Sequence, residues 1–181
     1  MAIQFIVENG TGLFNANSYA TVAEADQYLE NTGRKAGAWA DGGNGGKQAA
    51  LVTAFVYMFA RWSDKWIGIA AYEDMSADWP RREATKKSGY YYDSTEIPRE
   101  VKEAQIEYAY IHTNGGGLIL NPEYDASNRP VIEKTEKVDV LLETTKFSDK
   151  ISPATFRTYP MADNMLKNLV TGGGQFDLMR A

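Results

Sequence analysis

Residues 47–66 read KQAALVTAFVYMFARWSDKW. Leu51, Phe55, Phe59, Trp62 and Trp66 recur at helical spacing, and Val52 and Val56 widen the stripe. The pattern predicts a helix from Lys47 to about Asp64, apolar enough to lie at the centre of the fold and pack on more than one side. Two further helices fit around it. Upstream, Thr21-Val22-Ala23-Glu24 is a capping box: the threonine oxygen accepts from the Glu24 amide, and the Glu24 carboxylate reaches back to the Thr21 amide. The helix it opens carries Val22, Ala25, Tyr28 and Leu29 on one face and stops near Gly33. Downstream, a helix is predicted from Pro98 to His112, with proline in its first turn and Val101, Ala104, Tyr108 and Ile111 as its buried stripe.

The flanking sequence is less regular. IQFIV at 3–7 reads as a short strand, followed by turn chemistry at Asn9-Gly10 and Thr11-Gly12. Residues 67–93 look irregular. VIEKTEKVDVLLE at 131–143 suggests one or two strands, and 144–160, with Ser152-Pro153 and Tyr159-Pro160, looks extended. A short amphipathic helix is predicted around 161–170. Glycine clusters at 42–46, 115–117 and 172–174 read as loops or joints. The expected fold is therefore mainly α: a small helical bundle core over 1–117 with a short N-terminal strand, then a minor β segment and an extended C-terminal arm over 118–181.

Composition narrows the function. The chain of 181 residues holds no cysteine and one histidine, His112. Thiol nucleophiles, cysteine-held metals and multi-histidine sites are excluded. The net charge of −5 argues against a generally basic, DNA-coating surface. Residues 1–33 carry Glu8, Glu24, Asp26 and Glu30 and no base, whereas Arg81 to Lys87 is the one concentrated basic stretch. No apolar run approaches the roughly 18 residues of a membrane span. The N-terminal MAIQFIVENG lacks a basic n-region and a small-residue cleavage site, so an intracellular protein without membrane association is expected.

Few constellations carry chemistry. GGNGGKQ resembles a phosphate-binding loop only superficially, because Asp41 stands where glycine is required and Gln48 where Ser or Thr is required. Glu73, Asp74 and Asp78 form an acidic cluster that reads as a solvated loop, and His112 as a helix-end cation or a core residue. No catalytic residue, cofactor or metal is expected. The 81–92 loop offers cations (Arg81, Arg82, Lys86, Lys87) followed by stacking faces (Tyr90, Tyr91, Tyr92), the combination used on single-stranded DNA. Tyrosine is equally a protein–protein anchor, so both readings stay open.

IVENGTGLFNANSYATVAEADQYLENTG resembles the opening of a family of tailed-phage head–tail adaptor (connector) proteins, chains often labelled DnaT-like single-stranded-DNA-binding proteins. The matching residues include Val7, Glu8, Gly10, Thr11, Gly12, Ala16, Asn17, Ser18, Tyr19, Glu24, Ala25, Asp26 and Tyr28. Trp39 with Lys47-Gln48-Ala49-Ala50-Leu51, Trp66-Ile67-Gly68, Trp79-Pro80-Arg81 and Ile97-Pro98 with Val101 and Ala104 follow in the family's order. The resemblance implies a virion part: a ring, commonly of twelve copies, docked beneath the portal protein. Tail or nozzle proteins attach below, and genome DNA passes through without specific binding. Such a protein resides at the virion neck, and in host cytoplasm during assembly. Acidity suits a DNA conduit, since like charge keeps phosphate from sticking. The arm, over about 144–181, is expected to grip the portal or a neighbour through Phe156, Tyr159, Met165, Leu166, Leu169 and Val170. Trp79 reads as a loop anchor, with Arg81 pairing nearby.

Overall fold

The computed structural model describes residues 4–115, 117–118, 131–137, 142–147 and 156–171. Among these residues, five α-helices make the fold mainly α: α1 (Val22–Asn31), α2 (Ala38–Asp41), α3 (Gly43–Trp62), α4 (Arg99–Asn114) and α5 (Pro160–Leu166). Two residue pairs form a minimal antiparallel ladder, β1 (Ile69–Ala70) with β2 (Arg81–Arg82). A longer hairpin pairs β3 (Val131–Lys137) with β4 (Leu142–Phe147), with a register irregularity between Val131 and Glu133.

The chain divides into two compact units. One holds Met1–Leu118 and Thr158–Ala181, the other Ile119–Arg157. This differs from the expected split after 117, because the chain returns at Thr158 to the helical unit.

The capping box forms as expected: Thr21 Oγ1 accepts from the Glu24 amide at 3.1 Å, and Glu24 Oε2 from the Thr21 amide at 2.7 Å. α3 begins inside the glycine cluster read as a flexible loop. Its start is fastened by tertiary contacts that override glycine's weak helix propensity: Asp26 of α1 accepts from Trp39 Nε1 of α2 at 2.9 Å and from Lys47 Nζ, just past the glycines, at 2.8 Å. Ala50, Leu51, Ala54, Phe55, Tyr57, Met58 and Trp62 of α3 are buried. Val56 and Phe59 are half exposed, so α3 is central but retains an open face. Residues 4–7 do not form a strand; Val7 makes a single parallel bridge with Ser18.

Candidate interaction surfaces

The positions that carry the sequence motifs build the interior. Glu8 is buried, and its carboxylate accepts from the amides of Gly10 and Gly12 at 2.9 Å and of Leu13 at 2.8 Å. The fold closes over that loop so tightly that a Cβ on Gly10 would lie 2.0 Å from the Thr95 carbonyl oxygen. Asn17 ties residues 4–6 back, accepting from the Ile6 amide at 2.8 Å and donating to the Gln4 carbonyl at 2.6 Å. Ser18 and Tyr19 belong to a buried network centred on Gln105 of α4. Its Oε1 accepts from the Tyr19 and Ala20 amides, and its Nε2 donates to Ser18 Oγ and the Leu51 carbonyl. Tyr19 also packs on Phe55 and accepts the Asp78 amide at 3.0 Å. Sequence reasoning did not single out Gln105 or Glu107, because a polar side chain on an amphipathic helix reads by default as solvent-facing. Glu107 is 1% exposed, paired with Arg34 and hydrogen-bonded to the Tyr28 hydroxyl at 2.6 Å.

The 81–92 loop divides into an anchored and an open half. Trp79 is fully buried, edge-on to Trp66 and Tyr92, after which a cis peptide leads into Pro80. Arg81 directs its guanidinium inward, donating to the carbonyls of Ile67, Gly68 and Asp78 at 2.8, 2.8 and 3.1 Å. Gly68 lies beneath, where a Cβ would meet the Arg82 carbonyl at 2.4 Å. Lys86 pairs with Glu96 at 2.8 Å and lies over the Tyr92 ring. A tight turn, with the Lys86 amide donating to the Tyr90 carbonyl and a bridge between Thr85 and Tyr91, leaves Arg82, Lys87, Tyr90 and Tyr91 exposed. Tyr90 and Tyr91 are 76% and 68% exposed. The structure thus withdraws Trp79, Arg81 and Tyr92 into packing and leaves two cations and two phenol rings in the open. Ile97 and Pro98 lead into α4, Ile97 packed against the core and Pro98 buried.

The acidic cluster separates. Glu73 and Asp74 are exposed, whereas Asp78 is buried and accepts from Ser63 Oγ at 2.8 Å and Trp66 Nε1 at 3.0 Å. Burial raises its pKa above the usual carboxylate range, against those two donors. His112 sits in the last turn of α4 with Nδ1 buried and unpartnered among the described residues. No group of three or more His, Cys, Asp or Glu is placed to hold a metal among the described residues.

The C-terminal candidates require a correction. Tyr159, Leu166, Leu169 and Val170 are buried in the helical unit's own core, and Met165 packs against it. α5 docks through Asp163, which accepts from Arg61 Nη2 at 2.6 Å, the Tyr108 hydroxyl at 2.5 Å and the Tyr159 amide at 2.9 Å. Burial and then the Asp163 carboxylate push the Tyr108 pKa far above its ordinary value, so this hydroxyl remains a donor. Beyond α5, the Ile67 amide donates to the Leu169 carbonyl, and Trp66 and Val170 form an antiparallel bridge. These apolar residues hold the fold together rather than standing free for a neighbour; Phe156, which belongs to the other unit, is 46% exposed. Residues 148–155 and 172–181 of the expected arm lie outside the described residues.

Neither the curated proteins nor the solved structures contain a match to this chain. One family model matches residues 3–181, and by that match the chain belongs to the family described as "Putative DnaT-like ssDNA binding protein".

Proposed function

We propose that this chain is a structural head–tail adaptor of a tailed bacteriophage, forming a ring under the portal that joins capsid to tail and lets DNA through. Its work is assembly, not catalysis, and its partners are the portal, tail or nozzle proteins and its own copies at the virion neck. The observation that carries the reading is the β3–β4 hairpin, which falls in a unit separate from the helical one. Among the described residues it pairs with no third strand; a two-stranded hairpin is marginal in water, and an unpaired outer edge is a template for another strand. Such an element is stabilised by binding a protein partner. Exposed Tyr90 and Tyr91 suit the same use, since tyrosine buries a large area at low entropic cost.

Single-strand binding is a second reading, favoured by the family's description and by exposed Arg82, Lys87, Tyr90 and Tyr91. With Arg81 and Lys86 engaged inside the chain, the loop offers two outward cations, so binding there would show a shallow log–log salt slope of roughly −1.4. One experiment separates the two. The mass distribution of the protein is measured alone, with the portal ring of the same phage, and with a single-stranded oligonucleotide at low salt. A rise by a ring's worth of 20.1 kDa subunits on the portal supports the adaptor. Oligonucleotide binding without any portal complex would replace it.

A further inference from the structure

The glycine-rich start of α3 is no phosphate loop, yet it holds an asparagine–glycine pair, Asn44-Gly45; the chain has two others, Asn9-Gly10 and Asn114-Gly115. In such a pair the glycine amide nitrogen can attack the asparagine Cγ, because glycine has no Cβ to block the approach. The new C–N bond closes a five-membered succinimide and the side-chain nitrogen leaves as ammonia. Water then opens the ring to aspartate or isoaspartate. The reaction needs a free side-chain amide, a free glycine N–H and a backbone that can turn out of its regular conformation.

Two of the three pairs are held back. Asn9 Oδ1 accepts from the Thr11 amide and hydroxyl at 3.1 and 2.6 Å, and the Gly10 amide donates to Glu8 Oε1 at 2.9 Å. Asn114 Oδ1 accepts from the Ala38 amide at 3.0 Å, its Nδ2 donates to the Tyr110 carbonyl at 3.1 Å, and the Gly115 amide donates to the Ile111 carbonyl at 2.7 Å. Asn44 differs on each count. It is exposed, and its side chain has no hydrogen-bond partner among the described residues. With Gly42 as N-cap, the first bond of α3 runs from the Gly46 amide to the Gly42 carbonyl at 3.1 Å, so the Gly45 amide has no partner within the helix. Gly43, Gly45 and Gly46 have nothing within 4 Å of a Cβ position, and glycine resists opening of a helix end least.

We propose that Asn44 is a site of spontaneous deamidation in the folded protein, and that the fold protects Asn9 and Asn114 from the same reaction. Each conversion adds one negative charge to the net −5. Aspartate here lies in the first turn of α3, where a negative charge is favoured by the helix dipole. Isoaspartate lengthens the main chain by one carbon and takes the Asn44 carbonyl out of the helix, so α3 then starts nearer Lys47, which Asp26 holds.

The test incubates the folded full-length protein in mildly alkaline heavy-oxygen water, digests it in ordinary water, and follows the three asparagine–glycine peptides by mass spectrometry. Alkali speeds the step because the amide nitrogen attacks as its conjugate base, and the heavy label marks carboxyls formed during the incubation. Asn44 is expected to convert roughly tenfold or more faster than Asn9 and Asn114, the factor that about 1.4 kcal/mol of protection gives. In denaturant the three rates should draw together, since the hydrogen bonds that separate them are gone. An Asn44 rate no higher than the other two in the folded protein overturns the proposal. So does a ranking that survives denaturation, which would assign the difference to local sequence, and so does a folded chain in which no site converts while the unfolded chain does. Asn44→Gln should abolish the acidic variant that accumulates on ion exchange; its persistence would place the new carboxylate elsewhere and sink the assignment.

Discussion

Gln105 shows how much one polar side chain can determine. Fully buried, it satisfies two amides of the 17–20 segment and one carbonyl of α3, joining three parts of the chain. Gln105→Leu keeps the volume but strands the Tyr19 amide, leaves the Ala20 amide only Ser18 Oγ at 3.3 Å and takes a second donor from the Leu51 carbonyl, and each unsatisfied buried group costs about 1–3 kcal/mol. The expected loss is about 4 kcal/mol, read as a lower denaturant midpoint with unchanged slope. Two glycines allow a sharper comparison. Gly10 has φ 96° and its missing Cβ would overlap the Thr95 carbonyl, whereas Gly33 has φ 68° and nothing within 4 Å of the same position. Gly33→Ala should therefore cost only the backbone term, about 1 kcal/mol. Gly10→Ala adds a backbone collision and should cost more than about 3 kcal/mol. Equal effects in thermal melts would show that the 8–13 loop yields and that Glu8 does not hold it.

The joint between α1 and the start of α3 makes a pH prediction. Partial burial disfavours the Asp26 carboxylate, but hydrogen bonds from Lys47 and Trp39 outweigh it and hold the pKa below the ordinary value. A depressed folded pKa adds stability above the unfolded value near 4, and that stability is lost as pH falls through the folded pKa. Asp26→Asn should lower stability at pH 7 and flatten the decline between about pH 5 and 3, as followed by chemical denaturation across that range. α5 tests the clasp. Its Asp163 accepts three hydrogen bonds in a site where Arg61 is 8% exposed, and Asp163→Ala should cost about 3 kcal/mol and speed amide exchange at Trp66 and Ile67. These elements also mark what the sequence could disclose. The capping box and the stripes on α1, α3 and α4 were legible because they are local patterns of period 3.6. The burial of α5 was not: Leu166, Leu169 and Val170 form an apolar set whether they pack on their own chain or on another. The glycine-rich start of α3 was equally hidden, since the carboxylate that fastens it, Asp26, lies 21 residues before Lys47 and 13 before Trp39. In the 81–92 loop, the residue types were visible, but only tertiary structure separates inward Arg81 from outward Arg82.

At the scale of the whole molecule, two deletions should behave oppositely, the smaller one being the more damaging. Removing Thr158–Ala181 strips Tyr159, Ala162, Leu166, Leu169 and Val170 from the core. Each buried aliphatic or aromatic side chain contributes about 1.5–3 kcal/mol, so together they approach or exceed the 5–15 kcal/mol that stabilises a typical domain. The shortened chain should lose its cooperative melt. Ile119–Arg157, by contrast, forms the other unit, and its excision leaves ends that the fold already holds close, since the Tyr159 hydroxyl is 3.5 Å from the Leu118 carbonyl oxygen. A four-residue Gly/Ser linker spans up to about 13 Å, enough to rejoin Leu118 to Thr158. The rejoined chain should melt cooperatively, within a few degrees of the full-length protein, with its α-helical circular dichroism retained. If the adaptor reading is correct, the same variant should fail to add mass to the portal ring, because the β3–β4 hairpin goes with the excised unit. A rejoined chain that melts normally and still assembles would move the docking surface to the helical unit, with exposed Tyr90 and Tyr91 the first side chains to replace.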